Sequence, residues 1–142
     1  MSDSNHFPHE LRMAVARLSR VARYANTFTD LSFPQISALV SIAKHEPMTL
    51  QQLADHERIT APSMLKTVQS LIELGYITRR PHESDKRKQL LEVTKQGNAA
   101  IDDVRERRDA WMQDQLDHLT EEEIALLRAA LPALQRLAGR HV

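Results

Sequence analysis

Residues 48 to 94 read MTLQQLADHERITAPSMLKTVQSLIELGYITRRPHESDKRKQLLEVT. The run predicts two short helices followed by a charged β-hairpin, the order of elements found in a winged helix-turn-helix. Around a wheel of about 100° per residue, Met64, Leu65, Val68, Leu71 and Ile72 of the second helix fall on one arc. Pro62, Ser63, Lys66, Thr67, Gln69, Ser70 and Glu73 fall on the other. Amphipathicity alone marks any surface helix, so the composition of the polar arc carries the functional signal. Instead of the usual Glu/Lys mixture it holds small hydroxyl and methyl-bearing residues around one lysine, which lets backbone approach a groove closely. Ser63, Thr67 and Ser70 can bond phosphates or base edges, Lys66 can reach guanine acceptors or phosphate, and Ala61 or a threonine methyl can touch thymine.

The ends of both helices are marked. Thr60 is a good N-cap for a helix from Thr60 to Leu74, with Ile59 placed to staple onto Met64, and Gly75 supplies the C-terminal stop. The preceding helix opens with a Thr49/Gln52 capping box and a Met48/Leu53 staple, and buries a narrow face of Leu50, Leu53 and Ala54. Only His56-Glu57-Arg58-Ile59 separates the two, which forces a sharp crossing.

After Gly75 the period changes to about two. Tyr76 to Arg80 and Gln89 to Val93 are β-rich runs flanking the polar tip Pro81-His82-Glu83-Ser84-Asp85. From Arg79 to Lys88, five cations (Arg79, Arg80, Lys86, Arg87, Lys88) face two anions (Glu83, Asp85), a local charge of +3 in a chain whose formal net charge is zero. Such a run is often only solvated surface. Directly after a candidate recognition helix it suits the minor groove, where narrow walls concentrate negative potential.

These residues resemble the MarR family of bacterial transcription regulators. Asp85-Lys86-Arg87 followed by Val93-Thr94 and Gly97 is similar to the Asp-x-Arg, Leu-Thr and Gly signature of that family's wing, with valine at 93 where leucine is commoner. Leu71-Ile72-Glu73-Leu74-Gly75-Tyr76-Ile77 is similar to its junction between recognition helix and wing. The likeness runs from about Leu11 to Leu137. It implies a mainly α fold with a small β-hairpin wing, a winged helix-turn-helix with N- and C-terminal dimerisation helices. It further implies that Arg87 enters the minor groove, that the Asp85 carboxylate orients it or its neighbour, and that Ala61, Pro62, Ser63, Lys66 and Thr67 face the major groove. Together with Ser70, Arg79, Lys86 and Lys88 these form the expected DNA-binding set. The implied activity is that of a homodimeric, ligand-responsive repressor of double-stranded DNA, with a small aromatic or phenolic acid as effector. Arg12, Arg20, Tyr24, His45 and Trp111 are the candidate ligand-lining residues.

The flanks fit such a dimer. A helix from Leu11 to about Thr27 carries Leu11, Val15, Leu18 and Ala22 on one side and Arg12, Arg17, Arg20 and Arg23 on others. A second opens at the Ser32/Gln35 box with a Leu31/Ile36 staple and runs to about His45. A long helix follows Thr94 through Ile101, Val104, Trp111, Met112 and Leu116. The last opens at the Thr120/Glu123 box with a Leu119/Ile124 staple and continues past Leu137, with Pro132 predicting a kink or break inside it. Its leucines and alanines cover more than one face, more than a small monomer can bury. The expected organisation is therefore a winged domain at 31–94, with 1–30 and 95–142 forming the dimerisation region. Charge divides in the same sense: residues 1–47 carry +1, 48–98 carry +2 and 99–142 carry −3, so the acidic C-terminal helices should point away from phosphate.

The chain of 142 residues, 42% hydrophobic and 27% charged, has the size and make-up of a single globular core with an extension. Without a membrane-length apolar run or an N-terminal export signal, it is expected in the cytoplasm. Zero cysteines exclude disulfides, thiolate metal sites and cysteine-oxidation switching. Three glycines supply no phosphate loop, no catalytic triad is suggested, and neither enzyme activity nor a cofactor is expected. Seven histidines keep a metal-responsive regulator as one alternative, although none has an acidic or cysteine partner at ligand spacing, and no metal ligands are assigned. A winged-helix module that binds protein rather than DNA is the other.

Overall fold

The computed structural model describes residues 6–24 and 29–139. Its elements run α1 (Phe7–Tyr24), α2 (Phe33–His45), β1 (Met48–Thr49), α3 (Leu50–Glu57), α4 (Ala61–Glu73), β2 (Ile77–Pro81), β3 (Gln89–Val93), α5 (Lys95–Leu116) and α6 (Glu121–Gly139). The fold is mainly helical with a small antiparallel sheet, a winged helix-turn-helix. Two compact units, Met1–Arg108 and Asp109–Val142, divide the chain inside α5.

Local sequence rules set the helix starts. Ser32 and Gln35 close a reciprocal box at α2, Thr49 and Gln52 at α3, and Thr120 and Glu123 at α6. The staple residues Leu31 and Ile36, and Met48 and Leu53, are all buried. At α4 the Thr60 hydroxyl accepts from the Ser63 N–H, but Ile59 is exposed. α1 starts four residues before Leu11, at Phe7, and the expected end at Thr27 lies outside the described residues. α6 runs unbroken through Pro132, so no break occurs there.

The core of the first unit is a cluster of buried residues from α2, α3, α4, the sheet and α5, centred on Leu39, Ile42, Leu53, Met64, Val68, Leu71 and Ile77. Two features lay beyond the expected hairpin. Met48 and Thr49 form a third strand against Leu91 and Leu90, giving a sheet of order β1-β3-β2. Two residues were too few to leave a period-2 signal. Arg58 closes α3 in the left-handed region at φ 55°, its N–H donating to the Ala54 and Asp55 carbonyls, although no glycine marks that turn. The connection between the helices thus shortens to Arg58-Ile59-Thr60.

α4 ends in a Schellman motif: the Gly75 N–H donates to the Ile72 carbonyl and Tyr76 N–H to that of Leu71, with Gly75 at φ 78°. Thr94 then locks the wing base. Its N–H donates to the Tyr76 carbonyl, its hydroxyl donates to the Gly75 carbonyl at 2.6 Å, and the same oxygen accepts the Gly97 N–H. Gly97 is buried where a side chain could not fit, since a Cβ would stand 2.1 Å from the Tyr76 carbonyl oxygen.

Candidate nucleic-acid interface

The polar edge of α4 is held against the fold from beneath. Gln35, whose carbonyl oxygen already closes the α2 box, donates from Nε2 to the Ser70 hydroxyl at 3.0 Å. Glu57 at the end of α3 accepts hydrogen bonds from the hydroxyls of Ser37 and Ser41 on α2. Both ties fix the helix-turn-helix by side chains whose roles were not legible as motifs, because their partners lie 35 and about 20 residues away.

Ala61, Pro62, Ser63, Lys66 and Thr67 lie along the N-terminal part of α4, with Pro62, Ser63 and Lys66 exposed and Ala61 and Thr67 half-buried. Ser70 departs from the expected set: it is half-buried, accepts from Gln35, and donates to the Thr67 carbonyl at 2.6 Å. Its hydroxyl is committed inside the fold. Leu65 departs from the expected core, being 37% exposed beside the wing.

In the wing, Ile77 pairs with Val93, Arg79 with Leu91 and Pro81 with Gln89. Side chains alternate along a strand, so Arg79 occupies the same sheet face as Ile77. That face is core at Ile77 and becomes open cleft at Arg79. On the opposite face Arg80 pairs with Glu92 at 2.7 Å. The loop is closed by the His82 N–H donating to the Lys88 carbonyl and the Lys88 N–H to that of Asp85. The Asp85 carboxylate accepts from the Arg87 N–H at 3.1 Å and from its Nε at 3.3 Å. The Arg87 backbone N–H, then its guanidinium, hold the Asp85 carboxyl below its ordinary 3.8. Arg87 itself is 92% exposed at the side chain. Lys86 and Lys88 are exposed on either side of it.

Between α3, α4 and the wing lies a cleft of about 710 Å³ walled by Leu50, Leu65, Val68 and Leu90 and rimmed by Arg79, Arg87 and Lys88. The five ligand candidates do not line it. Arg12, Arg20 and Tyr24 are exposed on α1, where Arg12 Nη2 lies 3.1 Å from His9 Nδ1. His45, at the end of α2, bonds through Nδ1 to the Ser41 carbonyl and packs against the His56 ring at 4.8 Å. Trp111 belongs to the second unit. Among the described residues no three His, Asp or Glu side chains gather as metal ligands would.

Comparison with known proteins agrees with this geometry. The model of the MarR family matches residues 31–88. An HTH-type transcriptional regulator of Mycobacterium tuberculosis is 36% identical over 121 residues, 85% of each chain. The chain belongs to the MarR family. A second relative, an HTH-type transcriptional regulator of Mycobacterium leprae, is 34% identical over 128 residues, 90% of each chain. Among solved structures, a transcriptional regulator protein from Pseudomonas aeruginosa superposes with a TM-score of 0.83 at 26% identity, over 98% of both chains. Streptococcus pneumoniae FabT, solved in complex with DNA, gives 0.66 at 22% identity over 96% of this chain and 97% of its own. As a MarR-family member the protein is a DNA-binding transcription regulator, not an enzyme. No described helix is long and apolar enough to cross a membrane.

Proposed function

We propose that the protein binds a pseudo-palindromic operator as a homodimer and represses transcription from it. The observation that carries the reading is the wing tip: Arg87 is almost wholly exposed, yet its backbone and guanidinium are both tied to Asp85. An exposed arginine held in place loses less side-chain entropy on entering a minor groove than a free one. Beside it, Ala61, Pro62, Ser63, Lys66 and Thr67 present a small, mostly uncharged edge suited to the major groove. Arg79, Lys86 and Lys88 supply phosphate neutralisation. FabT, a structural neighbour, has been solved on DNA, which supports the same use of this fold here.

Dimerisation is supported by unburied apolar surface. α1 buries none of its residues and exposes Phe7, Val15, Leu18 and Val21; α6 likewise exposes Leu126, Leu127, Leu131 and Leu137. On this reading 1–30 and 95–142 assemble the dimer, 31–94 reads DNA, and two-fold symmetry sets two half-sites about one helical turn apart. The regulator works in the cytoplasm. Its effector is a small aromatic or phenolic acid, for which Arg12, Arg20, Tyr24, His45 and Trp111 are the candidate lining residues. Selection of duplexes from a random pool tests the whole reading: an inverted repeat supports it, and selected sites lacking two-fold symmetry contradict it.

A further inference from the structure

His82 opens the wing loop, and its Nδ1 lies 3.2 Å from the Ser84 N–H nitrogen, 3.3 Å from that of Asp85 and 3.1 Å from the Ser84 hydroxyl. Backbone N–H groups only donate, so the ring nitrogen they face is the bare one, and the ring's single hydrogen resides on Nε2. The imidazole is therefore the acceptor around which the loop turns. It fixes the backbone of Asp85, whose carboxylate fixes Arg87, while the His82 N–H closes the loop on Lys88.

We propose that His82 is the positioning residue of the wing: its neutral ring holds the loop that presents Arg87 to DNA, and protonation at Nδ1 releases it, so duplex binding weakens on acidification. This rests on the reading that the wing grips DNA. A ring protonated at Nδ1 turns the acceptor of two backbone N–H groups into a third donor facing them; the Ser84 hydroxyl can turn to accept from it, but both backbone donors lose their acceptor. Arg79 from β2 and Arg87 and Lys88 from the loop line the same cleft as His82, while Gln51 and Gln52 from α3 bring no charge. The facing carboxylate is Asp85, already engaged by Arg87; Glu83 and Lys86 are exposed loop neighbours of opposite sign. One added cation also attracts phosphate within about 8 Å at 0.15 M ionic strength and offsets part of the loss, whereas the acceptor that orders the loop is lost outright. Histidine is the side chain whose ordinary titration falls between about pH 5 and 8, and the Asp85 carboxyl, held low, stays ionised across that window.

The test uses the full chain and a duplex it selects from a random pool, with affinity read by fluorescence anisotropy near pH 7.5 and 5.5 at about 0.15 M salt. Wild type, His82→Ala, His82→Asn and Arg87→Ala are compared. Asparagine can accept the Ser84 N–H in an Asx turn and does not titrate. His82→Asn is expected to match wild type near neutrality, and wild type to lose about five- to tenfold more affinity than it on acidification. His82→Ala is expected to be weak at both pH values. Identical pH profiles for wild type and His82→Asn, or full affinity in His82→Ala, overturn the proposal while the wing reading survives in a weakened Arg87→Ala. Undiminished binding by Arg87→Ala overturns the wing reading and the proposal with it. Nitrogen-15 spectra of the free protein give a check that needs no DNA: Nδ1 is expected to be unprotonated at neutral pH, and a protonated Nδ1 in the neutral ring overturns the assignment.

Discussion

Asp85 and Arg87 are joined twice across one residue, through the Arg87 backbone N–H at 3.1 Å and its guanidinium at 3.3 Å, both to the same carboxylate oxygen. An arginine that would otherwise sweep solvent is thereby held at the wing tip. Asp85→Ala is predicted to keep the fold and weaken duplex binding about three- to tenfold, measured by anisotropy, because the charge of Arg87 remains and only its placement is lost. Full wild-type affinity in the variant would contradict this.

The same pair sets a pH window. Hydrogen bonds from Arg87 lower the Asp85 carboxyl in the folded protein, so its contribution is fully present above its unfolded value and lost as pH falls through the lower folded one. Asp85 is therefore predicted to have its titration step, and any change in wing order or binding that follows it, centred below the ordinary carboxylate value of 3.8. Observing the Asp85 carboxyl carbon by NMR through that range checks it; a titration step centred above that value would contradict the assignment.

Gly97 lies where α5 meets the wing base. Gly97→Ala places a methyl 2.1 Å from the Tyr76 carbonyl oxygen and 2.7 Å from Val93 Cγ1. Backbone cannot yield cheaply there, and overpacking of this kind costs about 1–3 kcal/mol. Thermal unfolding should show a lowered Tm despite the higher helix propensity of alanine, and a raised Tm would refute the close approach.

Ser70 separates stability from reading. With its hydroxyl bonded to Gln35 and the Thr67 carbonyl, Ser70→Ala is predicted to lose about 0.5–1.5 kcal/mol of stability and leave the selected DNA sequence unchanged. Lys66→Ala, on the exposed edge of the same helix, should do the reverse, weakening DNA binding with little change in stability. A changed base preference in Ser70→Ala would return that side chain to the groove.

The apolar face of α6 carries the assembly prediction. Leu126 is 70% exposed and Leu131 50%. Light scattering should give twice the 16.2 kDa chain mass for wild type. The double variant Leu126→Lys/Leu131→Lys should drop toward the single-chain mass with helicity retained. A wild-type monomer at micromolar concentration would remove the dimer.

Most of the helix-turn-helix was legible because its signals are local. Ser32/Gln35 and Thr49/Gln52 each lie within one turn, as Thr120/Glu123 does at the start of α6, and Gly75 marks its own positive φ. What escaped is non-local. Met48 and Thr49 become a strand only because β3 passes beside them, and Arg58 takes the left-handed cap conformation with its N–H on the Ala54 and Asp55 carbonyls, without the glycine that marks such a turn in sequence. Leu65 belongs by periodicity to the core, yet it sits where the core opens into the cleft. At the wing tip, Asp85 and Arg87 were legible only through the resemblance of their run to the MarR-family wing, whereas His82 gives no signal in a polar loop and acts through its ring nitrogen facing two backbone N–H groups.

The central claim, that α4 and an arginine-tipped wing grip a duplex together, is tested most directly by the salt dependence of duplex affinity for wild type and Arg87→Ala. The account predicts a steep linear fall of log affinity with log salt for wild type. It further predicts a loss of about 1–3 kcal/mol in Arg87→Ala, with unchanged circular dichroism and a salt slope shallower by about one. Equal affinity and equal slope for the two proteins would contradict it.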